Sequence, residues 1–392
     1  MTRSPQFIMP DALELLVEEQ ELQVAAPREA ERVYVASQWQ LMWWRFRRHR
    51  LALVSTVVVV LLYLIALFAD FFTVYDPEKH STKWVYAPPQ ALHVRFENGG
   101  LHWYAYEYNM SKDPVTLKSI YTPDPTKQHV VQWLVPRGRD YKVLGLFSTN
   151  VRLYGLPESD NKGTLYLFGT DSLGRDMLSR SVQGIRISMS IGLVGVALTF
   201  ILGVTLGGFS GLYGGLFDTI VQRVIEVVLS IPSTPLWLGL SAAIPNNWPQ
   251  LRVYFAITII LSLFGWTGLA RVVRGRFLSL REEDFVVAAR LSGSDDRRIV
   301  FTHLVPSMLS YIIAQATLAI PGMIMAETAL SFLGLGLRPP TISLGVLLQA
   351  AQNVRTVALA PWLLIPGYLV IAAVLCFNFM GDGMRDAADP YA

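Results

Sequence analysis

Residues 51–72 read LALVSTVVVVLLYLIALFADFF, and Arg45, Arg47, Arg48 and Arg50 crowd the approach to them. No charge interrupts the run before Asp70. About 20 largely apolar residues are what an α-helix needs to cross a hydrocarbon core. Only a closed hydrogen-bonded element satisfies its own backbone there. The run is longer than the roughly 7–15 residues of a signal-peptide core, and no small-residue cleavage site follows it, so it is expected to stay in place as a span.

Five further apolar runs follow at 187–209, 217–240, 253–273, 309–332 and 362–380, which predicts six transmembrane helices. The second and third are separated only by GLYGG at 211–215, which is turn chemistry. The whole composition agrees. Of 392 residues, 52% are apolar and 16% charged, against about 25% charged in soluble domains. The expected fold class is therefore an α-helical integral membrane protein. A net charge of +3 is too small to suggest nucleic acid as a partner. The single cysteine, Cys376, excludes an internal disulfide framework or a cysteine-based metal cluster. It is expected as a small apolar side chain.

Basic flanks orient the chain. Arg271, Arg274, Arg276, Arg281, Arg290, Arg297 and Arg298 fill the stretch between spans 4 and 5. By the positive-inside rule this stretch and the start of span 1 lie in the cytoplasm, and an even number of spans places both termini there. Before span 1, Trp39, Trp43, Trp44 and Phe46 recur at helical spacing beside arginines. This fits a short interfacial helix or an extension of span 1. The expected organisation is a cytoplasmic tail over 1–35, the interfacial helix and first span over 36–72, an insert over 73–186, and a membrane core over 187–392. The acidic stretch 11–25, with its leucines, is expected as a cytoplasmic helix or tail.

The insert changes character. Pro88, Pro89, Gly99, Gly100, Pro123, Pro125 and Gly138 punctuate it, and WYAYEY at 103–108 and VVQWLV at 130–135 are aromatic and β-branched. These patterns predict a β-rich extracytoplasmic domain. Its aromatics suit either a small core or stacking on a solute. His80, His93, His102 and His129 show no metal-ligand spacing and are expected as scattered surface residues.

Residues 283–306 read EDFVVAARLSGSDDRRIVFTHLVP. Asp284 is expected to cap one short helix and Gly293 to stop it in the left-handed region. Ser294 is expected to cap a second helix, with Asp295 and Asp296 in its first turn. Pro306 ends that helix or opens span 5. Ala288, Ala289 and Gly293 offer a small-residue surface. On physical grounds alone, the segment is either a docking element or an ordinary interhelical loop.

Several motifs carry a resemblance. Val287-Ala288-Ala289, Gly293 and Leu304-Val305-Pro306 resemble the coupling motif of ABC-importer membrane subunits, with Val287 in place of the family glutamate. GTDSLGRDMLSR at 169–180 (followed by Gly184, Arg186 and Ser188), LSFLGLGLRPP at 330–340 and NFMGDGMRDAADP at 378–390 are similar to signatures of the second membrane subunit of dipeptide/oligopeptide-type importers. Leu344 stands where that family has tryptophan. The resemblance covers about 38–72 and 168–390, and the insert up to 167 exceeds the family's usual length. It implies a type I importer permease fold and a homologous permease partner. It also implies two cytoplasmic ATPases, which bind the ATP and Mg, and a periplasmic solute-binding protein. The implied location is the bacterial inner membrane. Asp284, Ala288, Ala289, Gly293 and Pro306 become the ATPase-coupling residues, on a coupling helix at about 284–300.

This chain carries no phosphate-binding loop, HExxH or nucleophile elbow, so neither an ATPase nor another enzyme is expected in it. Gly203 and Gly207 form a small-xxx-small pair, expected to mark close helix packing. Charges within spans call for a role. Arg223 and Glu226 are expected to pair on one face of span 3, near Asp218. Glu327 and Asn378 are further inward-facing candidates. Each suits either helix packing or contact with a solute in transit.

Overall fold

The computed structural model describes residues 38–388 apart from 98–99, 116–117, 144–145 and 158–162. The expected tail 1–35 with its acidic stretch, and Asp389 and Pro390 of the last signature, lie outside the described residues.

Helix α1 (Gln38–Arg48) and helix α2 (Arg50–Leu67) are separate. The break falls at His49, whose Nδ1 accepts a hydrogen bond from the Ala52 amide at 3.1 Å. On α1 the rings of Trp39, Trp43 and Trp44 are exposed, while Phe46 packs with Ala52 and Ala387. Along α2, Ala52, Ser55, Val59, Leu62 and Ala66 are buried at three- and four-residue intervals. Its exposed positions are apolar too, among them Val57, Leu61 and Leu64. A helix apolar all round belongs in a hydrocarbon solvent.

After the sheet described below come α3 (Met177–Tyr213), α4 (Gly215–Ser230), α5 (Ser233–Ala242), α6 (Gln250–Leu280), α7 (Asp284–Leu291), α8 (Leu309–Phe332) and α9 (Ile365–Ala388). Among the described residues five helices are long and apolar enough to cross a membrane, or six if α4 and α5 count as one span. That pair covers the expected third span, 217–240. It bends by 84° at Ile231-Pro232, where proline lacks the amide hydrogen that a continuous helix would use. Helix α3 begins earlier than the apolar run suggests. Asp176 caps it, accepting from the Ser179 amide at 2.8 Å, so its first turns form above the apolar stretch.

The core lies where α3 meets α6 and where α8 packs between α3 and α9. Gly207 shows how close α3 and α6 come. A Cβ there would stand 2.4 Å from the carbonyl oxygen of Ala270. The Gly203–Gly207 face is thus spent on packing inside the chain.

Between α2 and α3 in the chain, β1 (His93–Glu97), β2 (Gly100–Lys112), β3 (Ser119–Val143) and β4 (Phe147–Gly155) form an antiparallel sheet in the order β1-β2-β3-β4. The two aromatic runs face each other in it, Trp103 opposite Val131 and Tyr104 opposite Val130. Register slips between Tyr106 and Glu107, and again between Pro136 and Tyr141. The second irregularity follows a proline that cannot donate to the ladder. Trp84, Tyr108 and Tyr166 form one buried cluster, and Ala105, Val131, Leu156 and Leu165 another. Much of the aromatic content is therefore core.

The sheet is tied to the helices by the 169–180 stretch. Thr170 accepts the indole hydrogen of Trp362 on its carbonyl at 2.9 Å and the Ala87 amide on its hydroxyl at 2.8 Å. Asp171 holds Arg175 at 2.7 Å, and the buried Arg180 donates to the carbonyl of Pro77 at 3.0 Å. Arg186 of α3 bonds Asp70 at 2.8 Å, in the short helix Ala69–Phe72 that follows α2.

Candidate functional site

Two features stand out, a cavity among the helices and the segment joining α6 to α8. The cavity has a volume of about 630 Å³. Its walls come from α3, the bend between α4 and α5, α6 and α8. Thr199, Ser233, Tyr311 and Gln315 supply neutral polar groups among apolar and aromatic neighbours such as Phe200 and Phe264. No Asp, Glu, Lys or Arg lines it among the described residues. Such a surface presents hydrogen-bond donors and acceptors without selecting a charge.

None of the four charged or amide candidates read from the sequence lines this cavity. Arg223 and Glu226 do pair, at 2.6 Å, but their side chains are 74% and 50% exposed. Helix α4 buries only Val221 and Ile225 against the rest of the chain, so its other faces are open. The firm ion pair of this region is Asp218 with Arg274 of α6, two parallel contacts of 2.5 Å each. Ser210 also donates to Asp218. Asn378 is half-buried on α9, away from the cavity.

Glu327 is 0% exposed on α8. Its carboxylate accepts from Ser188 of α3 and from Ser331, both at 2.8 Å. Those two hydroxyls in turn accept the amides of Leu344 at 3.2 Å and Leu337 at 3.0 Å. One buried acid therefore gathers α3, α8 and the turn at 334–344, with its acceptors satisfied. Leu344, at the position of the expected tryptophan, is buried beside it.

The segment between α6 and α8 is a helical hairpin. Helix α7 ends in a Schellman turn: the Gly293 amide donates to the carbonyl of Arg290 at 2.9 Å and the Ser294 amide to that of Ala289 at 3.1 Å. Gly293 has φ +81°, the expected left-handed stop. The capping residues shift by one at both helices. Glu283 is the N-cap of α7, making no side-chain cap bond, and Asp284 is its first helical residue. Asp295, not Ser294, caps the second helix and accepts from the Arg298 amide at 3.1 Å. That helix runs from Asp296 through a π-helical stretch, Ile299–Leu304, to Ser307, so Pro306 lies inside it near the junction with α8.

Burial divides the hairpin into two faces. Val286, Ala289, Ile299, Val300 and Leu304 pack together against Val273 and Phe277 of α6 and Ile312 of α8. Ala289, expected on an outer small-residue surface, is 8% exposed and belongs to this inner face. Ala288 is exposed, along with Phe285, Val287 and Leu291, the last at 85%. Apolar side chains left uncovered on so small an element mark a contact surface.

Residues 203–391 match the family model described as binding-protein-dependent transport system inner membrane component. Residues 37–89 match the N-terminal TM domain of oligopeptide transport permease C. The oligopeptide transport system permease protein OppC of Haemophilus influenzae is 39% identical over 226 residues, which is 57% of this chain and 70% of that protein. The chain belongs to this permease family. The dipeptide transport system permease protein DppC of Lactococcus lactis is 39% identical over 239 residues, 61% of this chain and 66% of that protein. OppC of Mycobacterium tuberculosis is 37% identical over 229 residues, 58% and 77% respectively. Among solved structures, the MetNI methionine ABC transporter in an inward-facing form overlaps 54% of the permease and 98% of that chain. The identity is 19% and the TM-score 0.41, too loose an overlap to place helices. The permease is thus a multi-pass inner-membrane transport subunit of the peptide-permease C type, with a strand-rich region near its N-terminus.

The cavity-lining residues Thr199, Ser233, Tyr311 and Gln315 carry no mark in the sequence. The Asp218–Arg274 pair was hidden because Arg274 reads as one more basic residue at a span end.

Proposed function

We propose that this permease forms one half of the translocation channel of an ATP-driven importer for short peptides or oligosaccharides. In this reading it has six spans, with α4 and α5 together as the third. Both termini and the α7 hairpin are cytoplasmic, and the sheet is extracytoplasmic. A homologous permease completes the channel and two ATPases bind ATP and Mg beneath it. A periplasmic solute-binding protein delivers the solute. The ATPases dock on the exposed face of the hairpin, around Asp284, Ala288 and Gly293. Ala289 and Pro306 act from within it.

One observation carries the proposal. The buried face of the hairpin and the cavity share a wall. Leu269 belongs to both, and Phe200 and Tyr311 pack against the hairpin cluster while lining the cavity. A push on the exposed face thus reaches the cavity through packed side chains, and close-packed interiors transmit such strain. The two-state element biased by ATP is the helix set itself. The peptide names of the relatives and a neutral polar lining that suits amide groups favour peptides over sugars.

Co-expression with the neighbouring transport genes tests the assembly. The permease is expected to purify with a second permease and two ATPases. A lone chain that transports would reject the reading. Binding titrations on the cognate solute-binding protein test the solute, and a small ion as its only ligand would overturn the peptide assignment. Replacing 79–164 by a short linker is expected to leave insertion and ATPase docking intact. The same change is expected to weaken stimulation of ATP hydrolysis by the loaded binding protein.

A further inference from the structure

The channel, the hairpin and the sheet leave helix α1 without a role. Residues four apart on a helix share a face. Trp39, Trp43 and Arg47 therefore form one stripe of α1, and Gln40, Trp44 and Arg48 the next. Both stripes end on a guanidinium at the break before α2, which itself opens on Arg50. The three indoles and the three guanidiniums are all exposed. Phe46 alone among the aromatics of α1 is closed in. It packs with Ala52 and Ala387, and a Cβ at Gly383 of α9 would come within 3.4 Å of its ring. Helix α1 is thus held against the end of α9 on one side and open on the side of its two stripes.

We infer that this open side of α1, with Arg50, binds the headgroups of anionic phospholipid in the leaflet where the first span begins. Depth selects the occupant. Leu51 and Val54, in the first turn of α2, are already 50% and 63% exposed, and exposed Val57 and Leu61 follow. An outward surface that is apolar from its first residue needs hydrocarbon from there on. Arg47, Arg48 and Arg50 therefore stand at headgroup level, and the indoles of α1 lie along the boundary that tryptophan prefers. Charge selects the headgroup. Among the described residues none of the three arginines is in an ion pair or hydrogen bond, and the exposed acids Asp382 and Asp386 of α9 are not paired with them. A guanidinium matches a phosphate with two parallel hydrogen bonds. A zwitterionic headgroup offers a phosphate too, but its own ammonium cancels the net charge that three unpaired guanidiniums attract. An acidic protein could pair them only by reaching down to the level where α2 already meets hydrocarbon.

The test uses the complete complex in nanodiscs of phosphatidylcholine. These hold a trace of either phosphatidylglycerol or phosphatidylcholine carrying a diazirine in the upper part of one acyl chain. After irradiation, peptide mass spectrometry is expected to find adducts on Trp43, Trp44 or Leu51. The phosphatidylglycerol probe should give at least about fivefold more of them than the phosphatidylcholine probe. At Leu61 and Leu64, farther along α2, the two probes are expected to label equally. Replacing all three arginines, Arg47→Gln, Arg48→Gln and Arg50→Gln, is expected to bring the two probes to parity on α1 and leave the α2 controls unchanged. Arg47→Gln with Arg48→Gln keeps Arg45 and Arg50 to hold the topology, and serves if the triple change lowers abundance. The pair is expected to at least halve the preference. Equal labelling of α1 by both probes in the unaltered chain would overturn the inference. So would a preference that survives both sets of substitutions, or labelling of the α2 controls with none on α1.

Discussion

The junction around Glu327 and the α7 hairpin both carry motif residues, and they differ in where those residues find their partners. At Glu327 the residues that close the junction face other parts of the same chain. The acid, its serines and the amides of the following turn close on one another with no exposed remainder. In the hairpin only one face is closed. Phe285, Val287 and Leu291 stand uncovered while Val286 and Ala289 are buried. A short motif thus records internal architecture in one place and an unfilled contact in the other. Burial tells the two apart.

The sharpest way to break this comparison is to remove the acid. Glu327→Leu leaves buried hydroxyls without their acceptor, and each such loss costs about 1–3 kcal/mol. A several-fold fall in membrane abundance and a lower detergent melting temperature are expected, with Glu327→Gln much milder because it keeps an acceptor. Wild-type abundance for Glu327→Leu would show that the junction is no more structural than the hairpin's outer face.

The hairpin should respond in the opposite sense. Leu291→Asp is expected to leave abundance unchanged while reducing co-purified ATPase by roughly tenfold, about 1.4 kcal/mol. Gly293→Val acts through backbone geometry. A Cβ there meets nothing within 4 Å, so the cost is the left-handed conformation alone, about 1–2 kcal/mol. It too is expected to loosen the ATPases, and Gly293→Asn to do so less. Ala289→Trp instead overpacks the inner face, at about 1–3 kcal/mol, and is expected to lower the melting temperature as well. Full retention of ATPase by both Leu291→Asp and Gly293→Val would remove the docking assignment.

The two ion pairs repeat the contrast on a smaller scale. Asp218→Asn strips the half-buried Arg274 of its bidentate partner and is expected to destabilise by about 1–3 kcal/mol. Reversing Arg223 alone, in an exposed pair, is expected to change stability by no more than about 1 kcal/mol. Double reversal of Arg223 and Glu226 then has little to rescue in the lone chain. Equal losses of melting temperature for Asp218→Asn and Arg223→Glu would contradict the burial argument.

A pH-dependent effect belongs to Asp176, which caps α3 just outside the spans. Burial pushes its carboxyl up to about 6, above the ordinary value, so the folded chain holds a proton more tightly than the unfolded one. Stability from this group is fully present below about pH 4, falls as pH rises toward 6, and is level above that. Asp176→Asn keeps a capping side chain and is expected to flatten this slope. Melting curves of both forms from pH 4.5 to 7.5 measure the difference, and parallel curves would remove Asp176 from the account.

Much was legible along the chain. Residues 51–72 and 309–332 announce helices because an apolar run of that length has few other stable forms in a bilayer. WYAYEY and VVQWLV announce strands, and Gly293 its left-handed stop, because each depends only on local steric preference. The caps at Glu283 and Asp295 were misplaced by one residue, since Asp, Ser and Glu neighbours offer several near-equivalent starts. The pairing of Arg223 and Glu226 could be read in advance, but not their standing on an open face of α4. Helical spacing says that two residues share a face but not which way the face turns.

Sequence alone determined the membrane class, the strand-rich insert between the first two apolar helices, and the residues that mark the family. These follow from transfer free energies and backbone preferences that act over a few residues at a time. The tertiary structure alone decided that Pro232 breaks the third span by 84°, that Arg274 closes on Asp218, and that Glu327 joins α3 to α8. It also decided that Thr199, Ser233, Tyr311 and Gln315 meet around one cavity. Those facts depend on which helix faces come together, and that choice is made by packing between segments far apart in the chain, where no local preference reaches.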